Sequence, residues 1–172
     1  MRIGKIITLI GAILGLLSIL LSLFIPEFLS WYRIEASGYG ITGGVYLTGF
    51  GTFSTTGAIS SINEIWIFEL IGGIFVILGS ILCIASIIKK SRVARIIGGI
   101  WILLGPIIFL IHIISNISDF SEIVEIVGGG SVVNVFWGSV NESGVTTSWG
   151  LWIGFFLAVG GGILGLVGRV KV

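Results

Sequence analysis

The stretch IWIFELIGGIFVILGSILCIASII, Ile65 to Ile88, followed by KKSR and then by VARIIGGIWILLGPIIFLIHII, Val93 to Ile114, decides the fold class. Each apolar run is long enough to cross about 30 Å of hydrocarbon as a helix rising about 1.5 Å per residue. The break between them is short and basic, so the pair reads as a helical hairpin. Working outward, Ile6 to Ile25 and Trp149 to Val167 are two further runs of the same kind, making four expected spans. The remaining composition agrees. Of 172 residues, 55% are hydrophobic and 10% charged, and the mean hydropathy is +1.18, whereas a soluble domain carries about a quarter charged residues. A water-soluble globular protein is thereby excluded. Nine Lys and Arg against eight Asp and Glu leave a net charge of +1, which gives no basic footprint for nucleic acid. The chain is expected to form one membrane domain over 1–172, with outer loops 26–64 and 115–148.

Charge fixes the expected orientation, because Lys and Arg favour cytoplasmic flanks. Arg2, Lys5, Lys89, Lys90, Arg92, Arg95, Arg169 and Lys171 fall on one side and only Arg33 on the other. Glu27, Glu35, Glu64, Asp119, Glu122, Glu125 and Glu142 fall in or beside the two opposite loops. Both termini are expected inside. The first run is longer than a signal-peptide core and lacks a small-x-small cleavage site, so it is expected to stay as an anchor. Cys83 is the only cysteine, so no disulfide can staple the loops within one chain. The sequons at Asn116 and Asn141 both fall outside; Asn141 is the better glycan acceptor, since Asn116 lies close to the membrane.

The halves resemble each other. RIGKIITLIGAILG from Arg2 and RVARIIGGIWILLG from Arg92 align basic residues, Ile pairs, and Gly15 with Gly105 at an offset of 90; Ile71-Gly72 aligns with Ile153-Gly154 and Gly79 with Gly161 at an offset of 82. Two parallel helix-pair repeats, about 1–90 and 91–172, are therefore expected, related by an axis along the membrane normal. The loops share the scheme. GYGITGGVYLTGFGTF alternates around Gly43-Gly44, and EIVEIVGGGSVVNVFWGSV centres on Gly128-Gly129-Gly130; both read as β-hairpins that pair into one external sheet, since a lone hairpin is marginal. Ser118 to Val127 also fits a helix, with Phe120, Ile123, Val124 and Val127 on one face, but strand is the preferred reading.

Between lipid-solvated helices, contact depends on small residues. Twenty-eight glycines are present, and the spans carry narrow small seams, with Gly11 and Gly15 in the first, Gly72 and Gly79 in the second, Gly98 and Gly105 in the third, and Gly154, Gly161 and Gly165 in the fourth. Internal bundle packing is the main reading of these seams, and partner docking the other. Pro106 removes a backbone donor and should bend the third helix.

Chemistry is sparse. Ionisable groups inside a span suggest function, and only Glu69 and His112 are expected there, both near the outer boundary at depths that match. Such a pair could relay protons or bind a cation; the plainer reading is that each reaches interfacial water. One His and one Cys cannot assemble a metal cluster, bis-His haem or Cys-His dyad, and no phosphate-binding loop occurs, so no cofactor, metal or catalytic residue is expected. Trp31, Trp66, Trp137, Trp149, Trp152 and Tyr32 read as interfacial anchors.

The layout of four spans with both ends inside, Trp31 in PEFLSWYRIEAS soon after the first span, and a β-prone first outer loop resembles claudins and the related peripheral-myelin tetraspans. The resemblance covers architecture. Those families carry Gly-Leu-Trp followed by two cysteines in the first loop, whereas this chain has Gly49-Phe50-Gly51 and no cysteine there, and its Gly150-Leu151-Trp152 opens the fourth run. The fold expected is an all-α membrane protein, a four-helix transmembrane bundle of two parallel repeats with a small external β-hairpin module. The function expected is that of a non-enzymatic accessory or cell-surface subunit, partnered by the lipid bilayer and by another protein or a second copy, and docking through helix faces and hairpins. The alternative is a small channel or transporter using Glu69 and His112.

Overall fold

The computed structural model describes residues 3–57, 65–127 and 134–168. Arg2, Glu64, the Gly128-Gly129-Gly130 segment, Arg169 and Lys171 lie outside the described residues. In chain order the elements are α1 (Ile3–Phe24), α2 (Pro26–Leu29), β1 (Tyr32–Gly38), β2 (Ile41–Leu47), β3 (Phe53–Gly57), α3 (Ile67–Lys89), α4 (Arg92–Ser115), α5 (Ile117–Val127), β4 (Trp137–Glu142), β5 (Val145–Leu151) and α6 (Ile153–Val167).

Three helices, α1, α3 and α4, are long and apolar enough to cross a membrane. Their outward faces are hydrocarbon, including Ile13, Leu20, Leu78, Ile81, Ile100 and Ile107, as lipid requires of a surface that cannot hydrogen-bond. α6 is equally apolar but has only 15 residues. The expected fourth run began at Trp149; Trp149, Gly150 and Leu151 instead extend β5, because their backbone groups pair with β1, Ile34 opposite Trp149 and Tyr32 opposite Leu151. Side-chain hydropathy alone cannot distinguish a helix from a buried strand that runs into it. α3 ends at Lys90, in the left-handed region with its N–H on the Ser86 carbonyl, and Ser91 caps α4 by accepting from the Ala94 N–H. α4 runs on through Pro106 to Ser115.

Glycine sets the helix contacts. α3 packs on α4 and α1 on α6 most extensively. A Cβ at Gly79 would stand 2.6 Å from the Gly98 carbonyl oxygen and 2.7 Å from the Ile102 nitrogen; a Cβ at Gly161 would stand 2.7 Å from the Gly11 oxygen and 2.8 Å from the Gly15 nitrogen. Gly72 and Gly105 face each other further along α3 and α4, Gly165 faces Cys83 and Gly99, Gly15 faces Ser80, and Gly154 lies on the Leu29 and Ser30 backbone. All nine glycines singled out in the sequence thus face another segment of this chain. These positions are the close approaches that the internal-packing reading of the seams expects.

The two long segments between helices, one after α1 and one before α6, form a single antiparallel sheet of five strands in the order β3-β2-β1-β5-β4. It is larger than the expected hairpin module, and α5 lies across one face. The hairpins turn elsewhere than expected. β1 passes to β2 at Tyr39-Gly40 (φ +48° and +77°) and β4 to β5 at Ser143-Gly144 (φ +51° and +82°), two-residue turns of the kind whose twist matches antiparallel strands. Gly43-Gly44 lies inside β2, with Gly44 opposite Glu35. Residues 117–127 are helical, correcting the strand preference: Phe120 and Val124 are buried, with Tyr32 edge-on to Phe120 at 5.0 Å.

One core runs from bundle to sheet. Ala12, Ile19, Val76, Ile102 and Phe109 join through Trp31 and Phe155 to Tyr32, Ile34, Val45, Leu47 and Trp149. Trp31 is fully buried, donates its Nε1–H to the Ser18 carbonyl at 3.2 Å and sits edge-on to Phe109 and Phe155. Trp31, Tyr32 and Trp149 are therefore core residues, not interfacial anchors. Trp137, 69% exposed, remains at the surface.

Candidate functional site

Two sites lie at the end of the bundle that carries the sheet. The first is the pair foreseen from the sequence. Glu69, in the first turn of α3, and His112, in the last turn of α4, come within 2.6 Å through Oε1 and Nδ1. The antiparallel α3–α4 hairpin, held close by its glycines, brings these distant positions level. Glu69 is fully buried and its second carboxylate oxygen has no partner among the described residues, while the His112 side chain keeps 17% exposure. Aromatic rings wall the pair: Trp66 is edge-on to His112 at 5.2 Å, Phe68 lies over it at 4.9 Å, and Trp66 also meets Phe53 and Phe120. The Thr48–Thr52 turn sits on the same helix end. Gly51 is at φ +72° with its Cα hydrogen directed at the Trp66 carbonyl and Glu69 Cβ, where no side chain would fit. The Glu69 carboxyl and the His112 imidazole thus form one hydrogen-bonded pair beside the Thr48–Thr52 turn.

The second site was not read from the sequence. Alternation along β1 sends Tyr32, Ile34 and Ala36 under α5 and Arg33, Glu35 and Ser37 to the opposite face. There a cleft of about 380 Å³ opens, lined by Glu27, Glu35, Tyr46, Thr56, Thr146 and Ser148 among others. Glu35 Oε1 accepts from Arg33 Nη1 at 3.3 Å and from the Tyr46 hydroxyl at 3.2 Å, and the Arg33 guanidinium lies 3.2 Å above the Trp152 ring. Burial pushes the Tyr46 hydroxyl above its ordinary pKa; a hydrogen bond with Thr56 opposes this and the Glu35 charge adds to it. Two carboxylates, hydroxyls and one engaged arginine suit a partner group rich in hydrogen-bond donors. The period-two pattern of RIEAS was the signal that could have located this face.

The remaining candidates fall as follows. Asn141 is exposed on the β4–β5 hairpin and donates to Thr146 Oγ1 at 2.9 Å, whereas Asn116 donates to the His112 carbonyl at the end of α4. Among the described residues no cluster of three His, Cys, Asp or Glu side chains is placed to hold a metal.

No protein-family model matches this chain, and no curated protein matches it significantly in sequence. The functional reading therefore rests on the chain's own geometry.

Proposed function

We propose that this chain is a non-enzymatic, multi-pass membrane protein in which four apolar helices, both termini inside, anchor an external sheet that docks a partner polypeptide. The carrying observation is the pairing of β1 with β5. It joins the two outer loops into one platform, seated on the bundle by Trp31 and open on its far face as an acceptor-rich cleft. A partner segment bearing Lys, Arg or hydroxyl donors would complete that cleft. The far side of β4, unpaired among the described residues and carrying exposed Trp137, adds a strand edge of the kind other chains pair with. The likeness to claudin-type tetraspans belongs to this proposal at the level of layout alone.

The two-repeat reading has support of its own. The α3–α4 and α1–α6 contacts are built alike: Gly98 and Ile102 receive Gly79 as Gly11 and Gly15 receive Gly161. A two-fold axis along the membrane normal would exchange them. The alignment on Arg2 and Arg92 puts Trp101 opposite Gly11; in the contacts Gly98, about one helical turn earlier, takes that place. For α6 to be the fourth span, its 15 residues must be continued through the membrane boundary by the neighbouring β5 end and α2.

A photo-crosslinking residue at Thr146 in the native membrane should give a discrete protein adduct that Glu27→Lys abolishes, whereas one at lipid-facing Ile13 should give none. Identical adducts from both positions would refute the docking role. The second reading, a cation or proton pathway, is favoured by Glu69–His112 and opposed by the fully buried plug of Ile19, Val76, Ile102 and Phe109. Flux into proteoliposomes that Glu69→Gln abolishes would establish it instead.

A further inference from the structure

Arg95 is a buried charge that the docking reading does not use. It lies in the first turn of α4, on the seam that carries Gly98 and Gly99, with 4% of its surface exposed. Among the described residues, its Nε and Nη1 have no hydrogen-bond acceptor. A guanidinium keeps its proton at any accessible pH, so the charge cannot be relieved by titration, and an unpaired buried charge is among the costliest features a fold can hold. The described carboxylates do not help. Glu69, Glu27, Asp119, Glu122 and Glu125 stand at the opposite end of the helices, and Glu35 and Glu142 are in the sheet. Nearby, the Cys83 thiol donates to the Arg95 carbonyl at 3.8 Å, and the Ser86 hydroxyl is engaged by the Cys83 carbonyl at 2.6 Å. Arg92 adds a like charge, and the positive end of the α4 dipole lies there too, where the Ser91 side chain takes the Ala94 N–H.

The companion helix contact serves as an internal control. Where α4 presents Arg95, one turn before Gly98, α1 presents Thr8, one turn before Gly11. Thr8 is self-satisfied, its hydroxyl reaching the Gly4 carbonyl at 3.0 Å and the Gly168 carbonyl at 3.3 Å. A glycine contact of this design closes without an arginine, so packing does not require Arg95.

We propose that Arg95 and the N-terminal turn of α4 form a binding site for a phosphate group, supplied by an anionic phospholipid of the inner leaflet. Phosphate oxygens match the planar guanidinium and the free N–H groups of a helix N-terminus, and the bilayer places headgroup phosphates at the depth where α3 turns into α4. This rests on the membrane-spanning part of the proposed function and not on the docking role of the sheet.

The test compares nanodiscs of phosphatidylcholine with nanodiscs containing phosphatidylglycerol, reading thermal midpoint and retained lipid. Wild type should prefer phosphatidylglycerol by about tenfold, the scale of one charge-assisted hydrogen bond. Arg95→Met should lose that preference yet be at least as stable as wild type in phosphatidylcholine. A Lys89→Gln, Lys90→Gln double variant, which alters surface charge, should keep the part of the preference that Arg95→Met removes. Stabilisation by inorganic phosphate in neutral detergent, abolished by Arg95→Met, would assign the same site to a soluble phosphate compound. If Arg95→Met does not fold, Arg95→Lys takes its place and should show a weakened preference. The proposal is overturned if wild type responds to neither phosphatidylglycerol nor phosphate, or if wild type and the Arg95 variant respond equally. Failure of the chain to remain in carbonate-washed membranes would instead sink the spanning reading on which both proposals stand.

Discussion

Adjacent glycines in α6 allow the packing argument to be tested against its own control. Replacing Gly160 or Gly161 with Ala removes the same backbone freedom from the same helix, a gain of about 1 kcal/mol in each case. The new methyl groups meet different surroundings. At Gly160 nothing lies within 4 Å; at Gly161 the Gly11 oxygen is at 2.7 Å and the Gly15 nitrogen at 2.8 Å, both backbone. Restoring ordinary contact requires α1 and α6 to part by roughly 0.6 Å, a gap that forfeits a quarter to a half of the dispersion attraction along the seam. Overpacking of this kind costs about 1–3 kcal/mol. The two variants should therefore differ by about 2 kcal/mol, with Gly160→Ala above wild type and Gly161→Ala below it. For a chain of this size the difference corresponds to midpoints roughly 4–8 °C apart. Cys83 is buried and is the only cysteine, so a thiol-reactive fluorogenic dye reads unfolding in detergent without labelling the fold. If Gly161→Ala melts at or above Gly160→Ala, the α1–α6 glycine seam does not hold the bundle.

Three further outcomes are expected. His112→Ala should cost about 3 kcal/mol by leaving Glu69 buried without its partner, and Glu69→Gln, which preserves a hydrogen bond to the imidazole, about 1 kcal/mol; urea or thermal melts in detergent would rank them, and the reverse order would contradict the pairing. Burial raises the Tyr32 pKa above its ordinary value, so the folded state holds that proton more tightly than the unfolded state. The corresponding stability is present below about pH 10 and is lost as pH rises beyond it. Tyr32→Phe, which gives up the 2.8 Å hydrogen bond to the Val135 carbonyl, should lower stability by about 1 kcal/mol at neutral pH and shift the alkaline transition upward. Expression in a glycosylating host should add a glycan sensitive to Asn141→Gln and insensitive to Asn116→Gln; a mobility shift removed only by the latter would reverse the exposure argument.

The long helices were legible because lipid imposes a constraint on every residue of a span, and a run such as Ile65 to Ile88 has few alternatives. Glu69 and His112 were legible as a pair for the same reason: charged groups stand out in hydrocarbon. The strand boundaries were not. Trp149-Gly150-Leu151 is as apolar as the helix that follows, and only the tertiary pairing with β1 makes it a strand. Gly43-Gly44 looked like a turn, yet Tyr39-Gly40 is where the backbone reverses, and Gly44 serves as the flat place beneath the Tyr46 ring. Residues 117–127 carried both periods, and the apolar underside of the sheet selected the helical one. The burial of Arg95 was invisible because the positive-inside pattern accounts for its charge without asking where its side chain lies.

The route of the chain between bundle and sheet has a mechanical consequence. β1 follows α1 through the single turn of α2, and β5 enters α6 with Trp152 alone between them, its N–H bonded to the Trp31 carbonyl at 2.9 Å. The two central strands are thus rigid extensions of the two helices that share the α1–α6 contact. Such a joint has no slack: a change in the tilt of α6 against α1 must slide β5 along β1 or be resisted by six backbone-paired positions. The sheet cannot swing independently of the bundle, so a tilt between these two helices reaches it as shear between β1 and β5.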